Sequence, residues 1–252
     1  MYKYISLTII TTLFFFIDCN AEQEKFKLIT VLYNEENRAR IAEYLTCLEI
    51  NLAHNLIDKI HVVYDVSKDS EETVILNYLK NKKIPITYTK DRPTYAFCFD
   101  LANKLYPNSR IILSNADIYF NTTLKTLDNY SLENTFLALT RWDIQEDNKK
   151  LVLHGFLYNP KKSCSQDFWI FSTPFYCNNS TILMGIPRCD STIAYSAQKS
   201  GLIVENPCFS IQGCHLHGSN IRNYTSSQAC PQKGSLTIPY SSLNKKNIPN
   251  KS

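Results

Sequence analysis

The chain has 252 residues, a formal net charge of +4, 44% hydrophobic and 20% charged residues. That length and balance describe a globular protein of one large domain or two small ones, with ample material for a core. Its basic residues are scattered, and the richest runs, "NKKIP", "NPKKS" and "NKKNIPNKS", have no interleaved aromatics, so nucleic-acid binding is not expected.

The N-terminus, "MYKYISLTIITTLFFFIDCNAEQEK", is uncharged from Tyr4 to Ile17 and then turns polar. A membrane span needs roughly 20 apolar residues, so this shorter run reads as a signal peptide over residues 1–21, with Cys19 and Ala21 as the small residues before cleavage. A short membrane anchor is the competing reading, and only then is a membrane a partner. Export predicts a secretory-pathway location, in the ER or Golgi lumen or outside the cell, or a periplasmic or anchored one in a bacterium. Of 9 cysteines, Cys19 falls in the leader. The other eight, Cys47, Cys98, Cys164, Cys177, Cys189, Cys208, Cys214 and Cys230, form an even set expected to pair as disulfides. Sequons at Asn121, Asn129, Asn178, Asn179 and Asn223 offer glycosylation sites in a eukaryotic pathway.

After the leader, "FKLITVLYNE" reads as a buried strand, and "ENRARIAEYLTCLEINLAHN" as a helix from the spacing of Ile41, Leu45, Leu48 and Leu52. "IDKIHVVYD" is a second strand ending in Asp65, "SEETVILNYLKNK" a second helix, "IPITYT" a third strand and "TYAFCFDLANKLYPN" a third helix. "RIILSNADIYF" is a fourth strand. The alternation of helices with continuously apolar strands predicts an α/β fold with a mostly parallel sheet covered on both faces. Ligands bind beyond the carboxyl ends of such strands, where Asn34, Asp65 and Asp117 all lie. Beyond residue 120 the pattern is less regular: "TFLALTRWD" and "SQDFWIFSTP" read as strands, "RCDSTIAYSAQKSG" as a helix, and "LIVENP" and "FSIQGCHLHGS" follow. Residues 226–252, rich in Ser, Asn, Lys and Pro, are expected to form a flexible tail outside a domain over 22–225.

The serial order of "VLYNEE", "VVYDVSKDSEET", "SNAD" and "MGIPRCDSTIAYSAQKSGLIVENPCFSIQGCHLH" resembles GT-A-type glycosyltransferases, particularly the large family-two group of nucleotide-sugar transferases. The resemblance covers about residues 26 to 224. It implies a GT-A-like, Rossmann-like three-layer sandwich and transfer of a sugar from a nucleotide-sugar donor to a glycan, protein or lipid acceptor. It departs from the family at "SNAD", which has one carboxylate where two are common, and at "RCD", which lacks an adjacent acidic partner.

Offsetting a departing diphosphate calls for a divalent cation on hard ligands, Mn2+ or Mg2+, and the resemblance puts Asp117 there. A loop-start Asp satisfying backbone N–H groups is the plainer explanation of that residue. His215 and His217 are further ligand candidates, expected to diverge so that one of them, His215, faces the site. The resemblance gives Asp190 the role of base in an inverting displacement; helix-start electrostatics account for it equally. Asn34, Asp65 and Arg92 would contact the nucleotide sugar, while Trp142, Asp143, Asp167 and Trp169 would contact the acceptor. Core packing of the tryptophans is the alternative. The competing function is a secreted glycan-binding protein on a catalytically eroded GT-A-like fold.

Overall fold

The computed structural model describes residues 24–67, 73–145, 150–178, 181–219, 226–231 and 233–244. The leader expected over 1–21 lies outside them. In the first half, β1 (Phe26–Tyr33), α1 (Arg38–Leu52), β2 (Ile57–Asp65), α2 (Val74–Asn81), β3 (Ile86–Thr89), α3 (Tyr95–Leu105) and β4 (Arg110–Ser114) alternate as the sequence predicts. Each of these helices starts on a polar cap: Asn37, Thr73 and Thr94 accept hydrogen bonds from the backbone N–H of Arg40, Leu76 and Phe97. The second half runs β5 (Ile118–Phe120), a 3-10 turn (Thr122–Leu127), β6 (Thr135–Leu139), β7 (Trp142–Ile144), β8 (Leu151–Leu153), β9 (Lys162–Ser163), β10 (Phe168–Ser172), α4 (Cys189–Lys199), β11 (Ile203–Glu205), β12 (Gly213–His215) and β13 (Ile238–Pro239).

Seven strands form the central sheet in the order β11-β6-β10-β4-β1-β2-β3, with β10 antiparallel to its neighbours and every other pairing parallel. Successive side chains on a strand face opposite ways. Leu28, Val62 and Ile112 accordingly join one core with Tyr44, Leu48, Ile75 and Leu79 of α1 and α2. Ile29, Val63 and Ile111 join a second core with Tyr95 and Phe99 of α3 and Ile193 and Ala197 of α4. The result is the α/β sandwich, helices on both faces of a mostly parallel sheet, that the alternation predicts.

Two predicted strands break in the middle. "RIILSNADIYF" leaves the central sheet after Ser114, turns through Asn115–Asp117, and re-enters as β5 in a second sheet of order β5-β12-β7-β8. "TFLALTRWD" does the same between β6 and β7, across Thr140 and Arg141. Both breaks fall at the carboxyl edge of the central sheet, and the small sheet stands over that edge.

Among the described residues of 226–244 the structure departs from the expected flexible tail, while 245–252 lie outside the described residues. Cys230, Ile238 and Tyr240 are buried, and β13 pairs with β9, because apolar residues spaced through the Ser-rich stretch find partners on the domain. Among the described residues the expected pairing of cysteines is not formed: Cys47, Cys98, Cys164, Cys177, Cys189, Cys208 and Cys214 carry free thiols. Most of them fill core positions as small apolar groups. Cys98 lies against the Met184 sulfur and Cys189 beside the Tyr95 hydroxyl, and burial pushes both thiols up to about 12. Among the described residues no helix is long and apolar enough to cross a membrane.

The small sheet reaches the large one through a close approach at Gly213, where an added Cβ would stand 2.3 Å from the Phe168 ring. Gly213→Ala should therefore cost about 1–3 kcal/mol, the usual range for overpacking. Urea unfolding measures this, and an unchanged midpoint would mean that Phe168 yields freely.

Candidate functional site

A cavity of about 260 Å³ opens where the two sheets meet, lined by residues from the ends of β1, β2 and β4, from α1, and from the segment after β12. At its floor is Asp117, 6% exposed, in the turn between β4 and β5. A carboxylate stripped of water must be neutralised by partners or lose its charge. Asp117 has both kinds of partner. Its Oδ2 accepts from Arg40 Nη2 at 2.5 Å and lies 3.1 Å from His215 Nε2. Burial opposes its ionisation, yet His215 and Arg40 hold the carboxyl well below the usual range.

These partners belong to a longer array. Arg40 Nη1 donates to Glu43 Oε2 at 2.7 Å, and Glu43 accepts from the backbone N–H and hydroxyl of Ser219. His215 Nδ1 lies 2.8 Å from Asp143 Oδ1, and Asp143 also receives Arg141 Nε and His154 Nδ1, each at 2.7 Å. Arg141 Nη1 continues to Asp167 Oδ1 at 2.8 Å. Burial alone would lower the His215 imidazolium, but Asp117 and Asp143 on either side raise it to about 9. His217 goes the other way: burial, with Arg40 and His215 nearby, favours its neutral form.

Within this packed array three buried atoms have no hydrogen-bond partner: Asp117 Oδ1, Asp167 Oδ2 and His217 Nε2. All three residues line the cavity. Buried polar atoms in native proteins are nearly always paired, so such a group of orphans marks where a ligand belongs. Asp117, His215 and His217 can each turn one ligand atom to a common point, those atoms lying within 4.8 Å of one another. A carboxylate and two imidazoles suit a divalent transition metal, and Asp143 behind His215 Nδ1 is the outer carboxylate that commonly orients a ligating imidazole. The residues present fit a divalent cation.

The structure places the other expected residues unevenly. Asp65 and Arg92 line the cavity; Asp65 Oδ1 accepts from the Ser67 N–H, and Arg92 donates to the Gly185 carbonyl. Asn34 lies past the end of β1, outside the lining. Asp167 lines the cavity, whereas Asp143 stands behind His215. Trp169 is in the core at 1% exposure, edge-on to Tyr95, which removes it as an acceptor contact. Trp142 donates to the Cys208 carbonyl and also stays out of the cavity. Asp190 is outside the lining too, accepting from the N–H groups of Gln166 and Ser191, and burial, with the Asp167 charge nearby, raises its carboxyl to about 6. His215 and His217 do not diverge: residues two apart in an extended segment share a side, and both line the cavity with ring centroids 5.2 Å apart. Arg40, Tyr33, Tyr44 and His154 line it without having been singled out. For Arg40 a signal existed, since it precedes Tyr44, Cys47, Leu48 and Asn51 on the buried stripe of α1, where a cation needs a reason.

No family model matches this sequence, and no curated protein matches it. Among solved structures the chain is similar to the mannosyltransferase PcManGT from Pyrobaculum calidifontis in complex with GDP-Man and Mn2+, with a TM-score of 0.49 and 12% identity over 81% of this chain and 59% of that one. It is also similar to S. aureus TarS residues 1–349 in complex with UDP-GlcNAc, with a TM-score of 0.45 and 16% identity over 80% of this chain and 62% of that one. The chain thus spans about three-fifths of the length of these structures.

The placement of His215 between two carboxylates has a consequence for stability. Its folded value of about 9 exceeds the ordinary 6.5, so its contribution is complete below about 6.5 and is lost as pH rises through about 9. With a chelator present, unfolding free energy should decline across that window in the wild type and much less in His215→Asn. Parallel curves from chemical denaturation would show that the imidazole carries no charge there.

Proposed function

We propose that the protein is a glycosyltransferase of GT-A type that moves a sugar from a nucleotide-sugar donor to an acceptor hydroxyl. One observation carries this reading: Asp117 Oδ1, Asp167 Oδ2 and His217 Nε2 are buried without partners in a single cavity at the carboxyl edge of a mostly parallel sheet. That edge is where sheets of this kind bind ligands. The donor diphosphate lies at Asp117, the nucleoside toward Tyr33, Asp65 and Arg92, and the transferred sugar toward Asp167, whose free oxygen accepts from sugar hydroxyls.

Asp117, His215 and His217 would hold the cation; one oxygen and two nitrogens suit Mn2+ better than Mg2+, which prefers oxygen and water. When bound, the cation supplies positive charge against the departing diphosphate. The chain's own residues do the rest. Asp143 keeps the His215 ring aligned through Nδ1. Asp190, its carboxyl near 6, has the affinity of a base that works at neutral pH: the acceptor oxygen bonds to the anomeric carbon, the bond to the diphosphate breaks, and Asp190 takes the proton in a single inverting step. In the described conformation Asp190 lies outside the cavity lining, behind the Gln166–Asp167 segment that donates to it, so that segment must shift before an acceptor oxygen in the cavity reaches it. Export to a lumen supplied with nucleotide sugars belongs to the same proposal.

The screening of Asp190 also favours a second reading, a glycan-binding protein on an eroded site. Thermal shift against a panel of nucleotide sugars, with and without Mn2+, separates the two. The enzyme reading expects stabilisation by one nucleotide sugar that depends on Mn2+ and vanishes in Asp117→Asn; glycan-induced stabilisation alone would sink it. For the base, Asp190→Asn should lower the transfer rate by about 10²–10⁴-fold, and wild-type kcat/KM should fall as pH drops below about 6. A variant within threefold of wild type would remove Asp190 from the chemistry.

A further inference from the structure

Arg40 is a tightly held cation of the cavity, and the donor-site reading does not use it. It sits in the first turn of α1 at 7% exposure, with its guanidinium 4.6 Å from the centroid of the Tyr44 ring. One arm of its fork goes to Glu43 and the other to Asp117. Glu43 is fixed independently by Ser219. Arg40 is thus tethered at one arm while the other arm occupies the oxygen of Asp117 that faces His215.

A dication ligated by Asp117, His215 and His217 would stand within a few ångströms of this guanidinium. Like charges that close in a desolvated site repel strongly. The repulsion is relieved if the free arm of Arg40 finds another anion, and planar guanidinium forks match phosphate oxygens well. We propose that Arg40 is an internal counter-ion for Asp117 that turns to the donor diphosphate when a divalent cation takes Asp117. This rests on the donor-site reading above and adds to it a coupling. The cation binds weakly while Arg40 holds Asp117, and tightly once a diphosphate receives Arg40. By linkage, the cation strengthens diphosphate binding by the same factor.

Arg40→Gln separates this role from a structural one, because it moves two affinities in opposite directions. Mn2+ binding to the full chain is measured by electron paramagnetic resonance, alone and with UDP or GDP, allowing for Mn2+ complexed by the nucleotide in solution. In the wild type one nucleotide should tighten Mn2+ binding by about 5–150-fold, the usual span of such couplings. In Arg40→Gln, Mn2+ alone should bind more tightly than in the wild type, the nucleotide more weakly, and the coupling should shrink toward onefold. Arg40→Lys serves if the Gln variant folds poorly: it keeps the charge beside Asp117 but loses the planar fork that matches phosphate oxygens, so nucleotide affinity and the coupling should fall while Mn2+ alone binds about as in the wild type. A wild type that binds both ligands, with variants that weaken both or change neither, overturns the role of Arg40 and leaves the donor site standing. A wild type that binds neither Mn2+ nor nucleotide overturns the donor-site reading and this inference together.

Discussion

A carboxylate removed from water is among the least tolerable groups in a protein, and the architecture around Asp117 is organised by that fact. Its charge persists because Arg40 and His215 approach the same oxygen from two different elements. Those elements are in turn committed. The first turn of α1 has to begin where Arg40 can reach, and β12 has to end where His215 can. Removing one partner of a buried pair leaves an uncompensated charge, which is far more costly than the pair itself is beneficial. The array is therefore better understood as fixing geometry than as adding stability.

The two broken strands explain how this geometry is reached. A parallel sheet ends each strand at the same edge, but a side chain at the end of a straight strand points across the sheet face. Turning the chain at Asn115–Asp117 and again at Thr140–Arg141 carries Asp117, Arg141 and Asp143 off the face and over the edge. The second sheet then fixes their spacing, since β12 pairs with β5 on one side and β7 on the other, with His215 opposite both Ile118 and Asp143. The same register that holds the sheet together sets His215 between its two carboxylates. Phe168 against Gly213 locks that sheet to the large one through β10.

The central sheet was legible in the sequence because its signal is local: strands such as "RIILS" and "TFLAL" have unbroken apolar centres, and helices of fitting spacing separate them. Asp65, Arg92, Asp117, Asp167, His215 and His217 could be singled out as polar groups flanking apolar segments, and all six line the cavity. The breaks were not legible, since Asn-Ala-Asp and Thr-Arg are compatible with either a turn or a continued strand. Trp169 misled for a related reason: a Trp beside an acidic residue looks like a sugar platform, but Asp167 lies just before β10 and reaches the cavity, whereas Trp169 lies within β10 and packs in the core. Even cysteine parity misled, because small apolar volume and disulfide pairing draw on the same residue. Arg40 had a faint local signal, its place on the stripe of α1 that carries Tyr44, Cys47 and Leu48, but its partner Asp117 comes from a distant part of the chain that no local pattern contains.

The balance of charge in the array bears on what it can accept. Glu43, Asp117, Asp143 and Asp167 alternate with Arg40, Arg141 and, near neutral pH, the raised His215, leaving one negative charge in excess. A nucleotide sugar brings about two negative charges of its own in its diphosphate. Added alone beside this net-negative array, it would meet repulsion that hydrogen bonds from Arg40 and Arg92 only partly offset. Added with a dication it would change the sum only by the proton that His215 gives up to become a ligand, and an Asp117 oxygen and a His217 nitrogen that had no partner would gain one. The same arithmetic disfavours a dication alone, which meets Arg40 and the His215 imidazolium at close range. On the donor-site proposal, a site with this alternation of charges would admit the two ligands together more readily than either one, because the fold fixes the charges that each must offset.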